Sequence, residues 1–228
     1  MPPLAQGILR VLVQTIVAVV GGTGAEGSGL AARFAKAGVR VRIGSRNLEK
    51  AQETARRIGE QATGHTNADA VTEAAIVVVT VPLSAQVETL KSIRGNIAPG
   101  AILVDATVPL EVAIGGRVSR ILTLWDGSAA QQAARLVPGV PVVAAFHALS
   151  AEALSNLDQP IDCDALICGD SVEAKTTVTQ LAATIPGVRA IDAGTLDNAR
   201  LLESAAALLI SLNLRHKVKE SGIRITGI

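Results

Sequence analysis

Gly22, Gly24 and Gly27 stand in a G-x-G-x-x-G spacing between an apolar run at 16–20 and a stretch of helical periodicity that begins near residue 24. Few backbone arrangements use glycine at all three places. The first permits a tight turn, the second lets a bound group approach the main chain, and the third lets helix and strand pack closely. The N–H groups of the first helical turn then face an anion. As a bare pattern the spacing also arises in plain structural turns; its place inside a strand–helix–strand unit points to a pyrophosphate.

The rest of the chain repeats that unit. Apolar runs at 39–43, 75–80, 101–105 and 140–144 alternate with helical patterns at 24–37, 48–60, 84–94 and 127–136, the first of these helices stopped by Gly38. Continuously apolar strands of this kind belong to a parallel sheet covered on both faces. The expected class is α/β, a Rossmann-type doubly wound parallel sheet. Periodicity lapses after Asn156, where 157–164 is broken by aspartates and a proline, and resumes with a short strand at 165–168 and helices at 171–185 and 197–216. That remainder is too short for an ordinary catalytic domain. The expected organisation is a nucleotide-binding domain over 12–156 and a small C-terminal α/β appendage, 157–228, closing a cleft.

Composition narrows the function. With 49% hydrophobic residues but 1% aromatic, the rings of Phe34, Phe146 and Trp125 alone, the core must be filled by Ala, Val, Leu and Ile. Basic and acidic residues nearly cancel, at 21 and 20, with no basic stripe and no stacking aromatics, which argues against nucleic acid as a partner. Cys163 and Cys168 lack the further ligands that zinc needs and read as buried apolar residues of a reducing cytosol, hence a cytoplasmic protein. The opening stretch to Val20 is interrupted by Arg10 and Gln14 and ends in glycines, so neither a signal peptide nor a membrane span is expected. The segment 201–214 is apolar nearly all round and must be buried, within one subunit or in a homodimer or higher homo-oligomer seam.

Which nucleotide is held should be decided at the end of the second strand, where an NAD site carries an acid for the ribose 2′-hydroxyl. The sequence there reads Arg42-Ile43-Gly44-Ser45-Arg46-Asn47-Leu48-Glu49-Lys50. No acid occupies the diagnostic place. Ser45 can donate a hydrogen bond, Arg46 offers a planar fork, and Lys50 adds a cation one turn on, a set suited to the 2′-phosphate of NADP(H). Arg46 and Lys50 as solvated residues opening a surface helix are the plain alternative.

With these residues in view, the chain resembles the NADPH-dependent coenzyme F420 reductases, also called F420-dependent NADP oxidoreductases. The resemblance rests on GGTGAEGSGLA at 21–31, GSRNLEKA at 44–51, TVP at 80–82 and AFHALSAEALSNLD at 145–158, and continues with CGDS at 168–171 and DAGTLDNARLLES at 192–204. It implies reversible hydride transfer between NADP(H) and the 8-hydroxy-5-deazaflavin coenzyme F420, the two rings stacked in a cleft between the domains. It further implies that Gly22, Thr23, Gly24, Ala25, Glu26 and Gly27 meet the pyrophosphate and that His147 and Leu149, with Ala148 between them, border the deazaflavin. Val81-Pro82 and Val108-Pro109 follow strands and would wall the nicotinamide side, although proline as a turn former is an equal reading. Because the cofactors carry the reactive electronics, no catalytic side chain is expected beyond those that position.

Two other functions fit the first domain: an NADP-dependent reductase of another small substrate, and a non-catalytic NADP-sensing module. The former usually needs a general acid, and this chain has no tyrosine. His65 and His216 read as polar helical surface residues, and Asn198, Arg200 and Glu203 as capping and surface pairing at the start of the last helix.

Overall fold

The computed structural model describes residues 15–228. Residues 12–14 of the expected first domain and most of the apolar opening lie outside the described residues.

Eight strands form one sheet in the order β3-β2-β1-β4-β5-β6-β7-β8. They are β1 (Ile16–Val20), β2 (Arg40–Ser45), β3 (Ala62–Thr66), β4 (Ile76–Val79), β5 (Ile102–Asp105), β6 (Val142–Ala144), β7 (Cys163–Gly169) and β8 (Val188–Asp192). The helices between them are α1 (Ala25–Lys36), α2 (Leu48–Ile58), α3 (Asn67–Ala70), α4 (Leu83–Ile93), α5 (Ala129–Leu136), α6 (Ala151–Ser155), α7 (Val172–Ala182) and α8 (Ala199–His216). The order reverses beside β1, from which the chain winds first toward β3 and then toward β8. Ligands of such sheets bind outside the strand ends at that reversal.

Alternation along β1 shows why both faces are covered. Val17 and Val19 enter one core with Leu30, Phe34 and Ile43, while Ala18 and Val20 enter the other with Val77, Leu90 and Ile93. All neighbouring strands pair in parallel except β6 and β7, which are antiparallel through Val143–Gly169 and Ala144–Cys168. The C-terminal portion therefore extends the same sheet.

Two buried side chains fasten the segment after β6. Arg33, 2% exposed on α1, donates from Nε to Leu154 O (3.0 Å), from Nη1 to Gln159 O (2.9 Å) and from Nη2 to Ala153 O (2.6 Å) and Asn156 O. The carbonyls of Ala153, Leu154 and Asn156 end the short helix α6 and that of Gln159 lies in the turn beyond, so one guanidinium satisfies groups that helix cannot satisfy itself. Phe34 meets Phe146 with ring centroids 6.0 Å apart.

The structure corrects the sequence reading of two side chains and adds the edge strands β3 and β8, which periodicity does not show. His65 sits on β3, at the outer edge of the sheet, where its Nε2 is 2.7 Å from Thr63 Oγ1, and not on a helix. Glu203 is not a surface residue: it is 1% exposed. A buried carboxylate needs donors, and Glu203 accepts from the N–H groups of Ala129 (3.1 Å) and Ala130 (3.2 Å), at the N-terminus of α5.

Candidate functional site

The turn after β1 is fixed by backbone. Gly21, at φ 81°, and Gly22 both donate to Gly44 O at 3.1 Å, which joins the loop to the end of β2. A Cβ on Gly22 would lie 2.7 Å from Val19 O. Gly24 differs: its added Cβ would meet nothing nearer than 3.4 Å, and the residue is exposed. It caps α1 without any side-chain hydrogen bond. The first N–H groups of α1 thus face an open approach with no side chain in front of them, a cradle that fits a pyrophosphate.

At the end of β2, Ser45 is buried and its Oγ accepts from Asn47 N (3.2 Å), which leaves its own hydrogen free to donate outward. Asn47 caps α2 by accepting from Lys50 N (2.9 Å). Arg46 and Lys50 are exposed and neither forms an ion pair or side-chain hydrogen bond with a described residue. Most other arginines near β2 are engaged; Arg42, for one, pairs with Glu73. A pair of uncommitted cations beside a free hydroxyl fits a phosphate dianion.

A cleft of about 580 Å³ opens on the other side of the loop and runs from Gly24 to the segment after α8. Of the sequence-predicted residues it brings together Gly24, Ala25, Glu26, Val81, Pro82, Val108, His147, Ala148 and Leu149. Pro109 is buried and off the cleft surface, which Leu110 occupies instead, because Pro109 O turns inward to accept from Leu122 N (2.6 Å). Gly22, Thr23 and Gly27 build the loop without lining this cavity. Sequence reasoning missed Thr107 and the far wall, where Leu209, Asn213 and Ser221 stand.

His147 follows Phe146, whose φ of 73° is costly for a bulky residue, by about 1–2 kcal/mol. Phe146 is fully buried against Phe34, and its carbonyl accepts from Leu149 N (2.9 Å), so packing holds the turn that presents His147 to the cleft. Neither ring nitrogen of His147 has a hydrogen-bond partner. Burial pushes its imidazole down to about 4, opposed by the nearby Thr107 backbone, which does not reach bonding geometry. A neutral imidazole at the cleft wall without a partner is unfavourable unless something else supplies one.

A network of buried polar groups sets the loop after β5. Asp105 accepts from Thr107 N (3.1 Å) and Gln86 Nε2 (2.8 Å); the same Gln86 Nε2 donates to Ala129 O (3.0 Å), and Glu203 completes the network at α5. Burial pushes Asp105 up to about 7 and Glu203 up to about 8. Glu26, on the first turn of α1, is pushed up to about 8 by burial and then by Asp105, which lessens its repulsion of an anion at the loop.

Those raised values carry a stability prediction. A carboxyl whose folded pKa exceeds its unfolded one favours the folded state in full below the unfolded value, near 4, and loses that contribution as pH rises through the folded value. Urea unfolding should therefore show stability declining between about pH 5 and 8, with a shallower decline in Glu203→Gln. Glu203→Ala, which strands two helix N–H groups, should lose roughly 1–3 kcal/mol at pH 6. A flat profile in the unaltered chain would remove the buried-acid argument.

Among the described residues no cluster of His, Cys, Asp and Glu could hold a metal, and no helix is long and apolar enough to cross a membrane.

Residues 16–109 match the family model described as NADP oxidoreductase, coenzyme F420-dependent. The F420-dependent NADP reductase of Methanothermobacter thermautotrophicus is 47% identical over 230 residues, covering 97% of this chain and 98% of that one. The protein of the same name from Methanocaldococcus jannaschii is 40% identical, covering 93% and 98%. A crystal structure of a putative F420-dependent NADP reductase from Arthrobacter superposes with a TM-score of 0.81 over 93% of this chain and 99% of that one, at 22% identity, and speaks for the fold.

Proposed function

The chain belongs to the coenzyme F420-dependent NADP oxidoreductase family, and from that premise we propose how its own residues serve the reaction. The enzyme transfers a hydride between NADP(H) and coenzyme F420. The chemistry belongs to the nicotinamide and the deazaflavin when both are bound; the protein binds, orients and excludes water.

Gly22, Thr23, Gly24, Ala25, Glu26 and Gly27 hold the pyrophosphate, supported by the uncapped start of α1. Ser45, Arg46 and Lys50 take the 2′-phosphate. Val81, Pro82 and Val108, with Pro109 behind them, wall the nicotinamide side. His147, Ala148 and Leu149 border the deazaflavin, where His147 finds the hydrogen-bond partner it lacks in the protein. Residues 12–156 serve as the nucleotide-binding domain and 157–228 close the cleft. Leu201, Leu208 and Leu214 leave part of α8 apolar and exposed instead of buried within the subunit, which supports a homodimer or higher assembly, and two buried free cysteines suit the cytoplasm.

The observation that carries this reading is the cleft of about 580 Å³ that runs from the glycine loop past His147 to the C-terminal segment. Mixed with NADPH and oxidised F420, the protein should bleach the deazaflavin absorbance. NADPH binding without bleaching would overturn the proposal in favour of another substrate or a sensor.

A further inference from the structure

The mouth of the cleft is closed by a strap that follows α8. Lys217 breaks the helix in the left-handed region at φ 55°, and Ser221 N then donates to Asn213 Oδ1 (3.1 Å). Ser150 Oγ, at the cap of α6, donates to Lys219 O (2.7 Å). Further on the strap is bolted to β7: Asp164 N donates to Ile223 O (2.7 Å), and Ile225 N donates to Asp164 Oδ2 (2.7 Å). Asp164 is fully buried and also paired with Arg189 (2.8 Å) and Arg224 (2.6 Å). Such a paired and bonded carboxylate holds its neighbours in one geometry. The course of residues 217–225 is therefore fixed by the protein, and Lys219 is held at the cleft wall.

Three lasting cations, Arg215, Lys217 and Lys219, fall within five residues there, all exposed and none in an ion pair with a described residue. Arg215 is accounted for by the C-terminal end of α8, where cations are favoured. Lys219 lies beyond the helix and gains nothing from it. Glu152 lines the same mouth and the exposed Glu220 adjoins Lys219, but neither forms an ion pair with it.

We propose that Lys219 is a specificity-determining residue that binds the anionic side chain of coenzyme F420, its phosphodiester and carboxylates, as that chain leaves the cleft, with Lys217 adding to the field. The proposal rests on the reading of the site as a deazaflavin cleft. The ring is held by shape and by His147, whereas the side chain is held by charge. Removal of Lys219 then weakens the full coenzyme and spares a deazaflavin that lacks the anionic tail.

The test titrates deazaflavin fluorescence against the NADP⁺-bound protein. For the unaltered chain, Kd for F420 should rise as NaCl goes from 50 to 300 mM, and Kd for the tail-less deazaflavin should not. Lys219→Ala should raise Kd for F420 about five- to tenfold, Lys219→Glu more, and Lys219→Arg should restore it; the tail-less compound should change less than twofold throughout. Equal loss for both compounds, or no loss for either, would overturn the proposal while leaving the deazaflavin reading intact. Failure of the unaltered chain to bind either deazaflavin would sink that reading, and this inference with it.

Discussion

Arg46→Ala should weaken NADPH binding roughly ten- to a hundredfold while changing NADH binding less than twofold. The size follows from one charge-assisted contact to a phosphate, about 1.5–3 kcal/mol, at 1.4 kcal/mol for each tenfold in Kd. The selectivity follows from geometry. Arg46 sits at the end of β2, outside the cleft where the two nucleotides are identical, and has no other partner among the described residues whose loss would disturb the fold. Its stability cost should be within about 0.5 kcal/mol, as for exposed positions generally. Lys50→Ala should act in the same direction but more weakly, since a lysine is a point charge without the bidentate fork. Because both cations would touch one phosphate, the double variant should fall short of the sum of the two. Isothermal titration with NADPH and NADH decides it. Equal losses for the two nucleotides would mean that these side chains hold the shared part of the molecule or only the loop, and the assignment of the 2′-phosphate would be wrong.

Much of this was legible because the central strands are chemically simple. Ile16–Val20 is an unbroken apolar run flanked by a glycine turn, and the structure begins and ends β1 at those residues. The edge strands were not legible. β3 reads Ala-Thr-Gly-His-Thr and pairs only with β2, so it needs little apolar surface and carries little pattern. β8 has no buried residue, only ones of intermediate or high exposure, and pairs only with β7. Both were passed over for the same physical reason: an edge strand is half solvated and borrows its conformation from its neighbour.

The site divided along a similar line. The glycine loop and Arg46 announce themselves by local spacing and by their place after a strand, whereas His147 is picked out by the family resemblance. Glu203 could not, because a lone acid in a helical pattern reads as solvent-facing unless one knows that the N-terminus of α5, over 70 positions earlier, supplies two donors. The strap was hidden for the same cause: its course depends on Asp164 reaching Arg189 and Arg224, contacts between segments that sequence periodicity does not connect. Pro109 follows a strand, yet it is buried, and the cleft is lined on either side of it by Val108 and Leu110.

Gly27→Ala should lose both stability and nucleotide binding, and the loss should not be recovered by saturating NADPH. An added Cβ would stand 2.5 Å from Thr80 Oγ1, 2.8 Å from Gly21 O and 2.9 Å from Gly22 Cα. Thr80 cannot simply swing away without giving up the hydrogen bond from its Oγ1 to Val20 O (3.1 Å), and the other two atoms are backbone. Relief must come from moving α1 away from β1, which costs about 1–3 kcal/mol as overpacking. The same movement carries the first N–H groups of α1 away from the pyrophosphate, so affinity for NADPH and NADH should fall together, by at least about tenfold if one charge-assisted contact is lost. That shared loss is the signature that separates the loop from Arg46. Gly24→Ala provides the contrast: its Cβ meets no protein atom nearer than 3.4 Å, so the fold should tolerate it while the open approach to the helix is filled. Urea midpoints paired with titrations of both nucleotides would check the pair. A Gly27→Ala chain as stable as the parent and binding NADPH normally would show that the helix need not lie so close to the strand, and the case for an anion held at its N-terminus would fail.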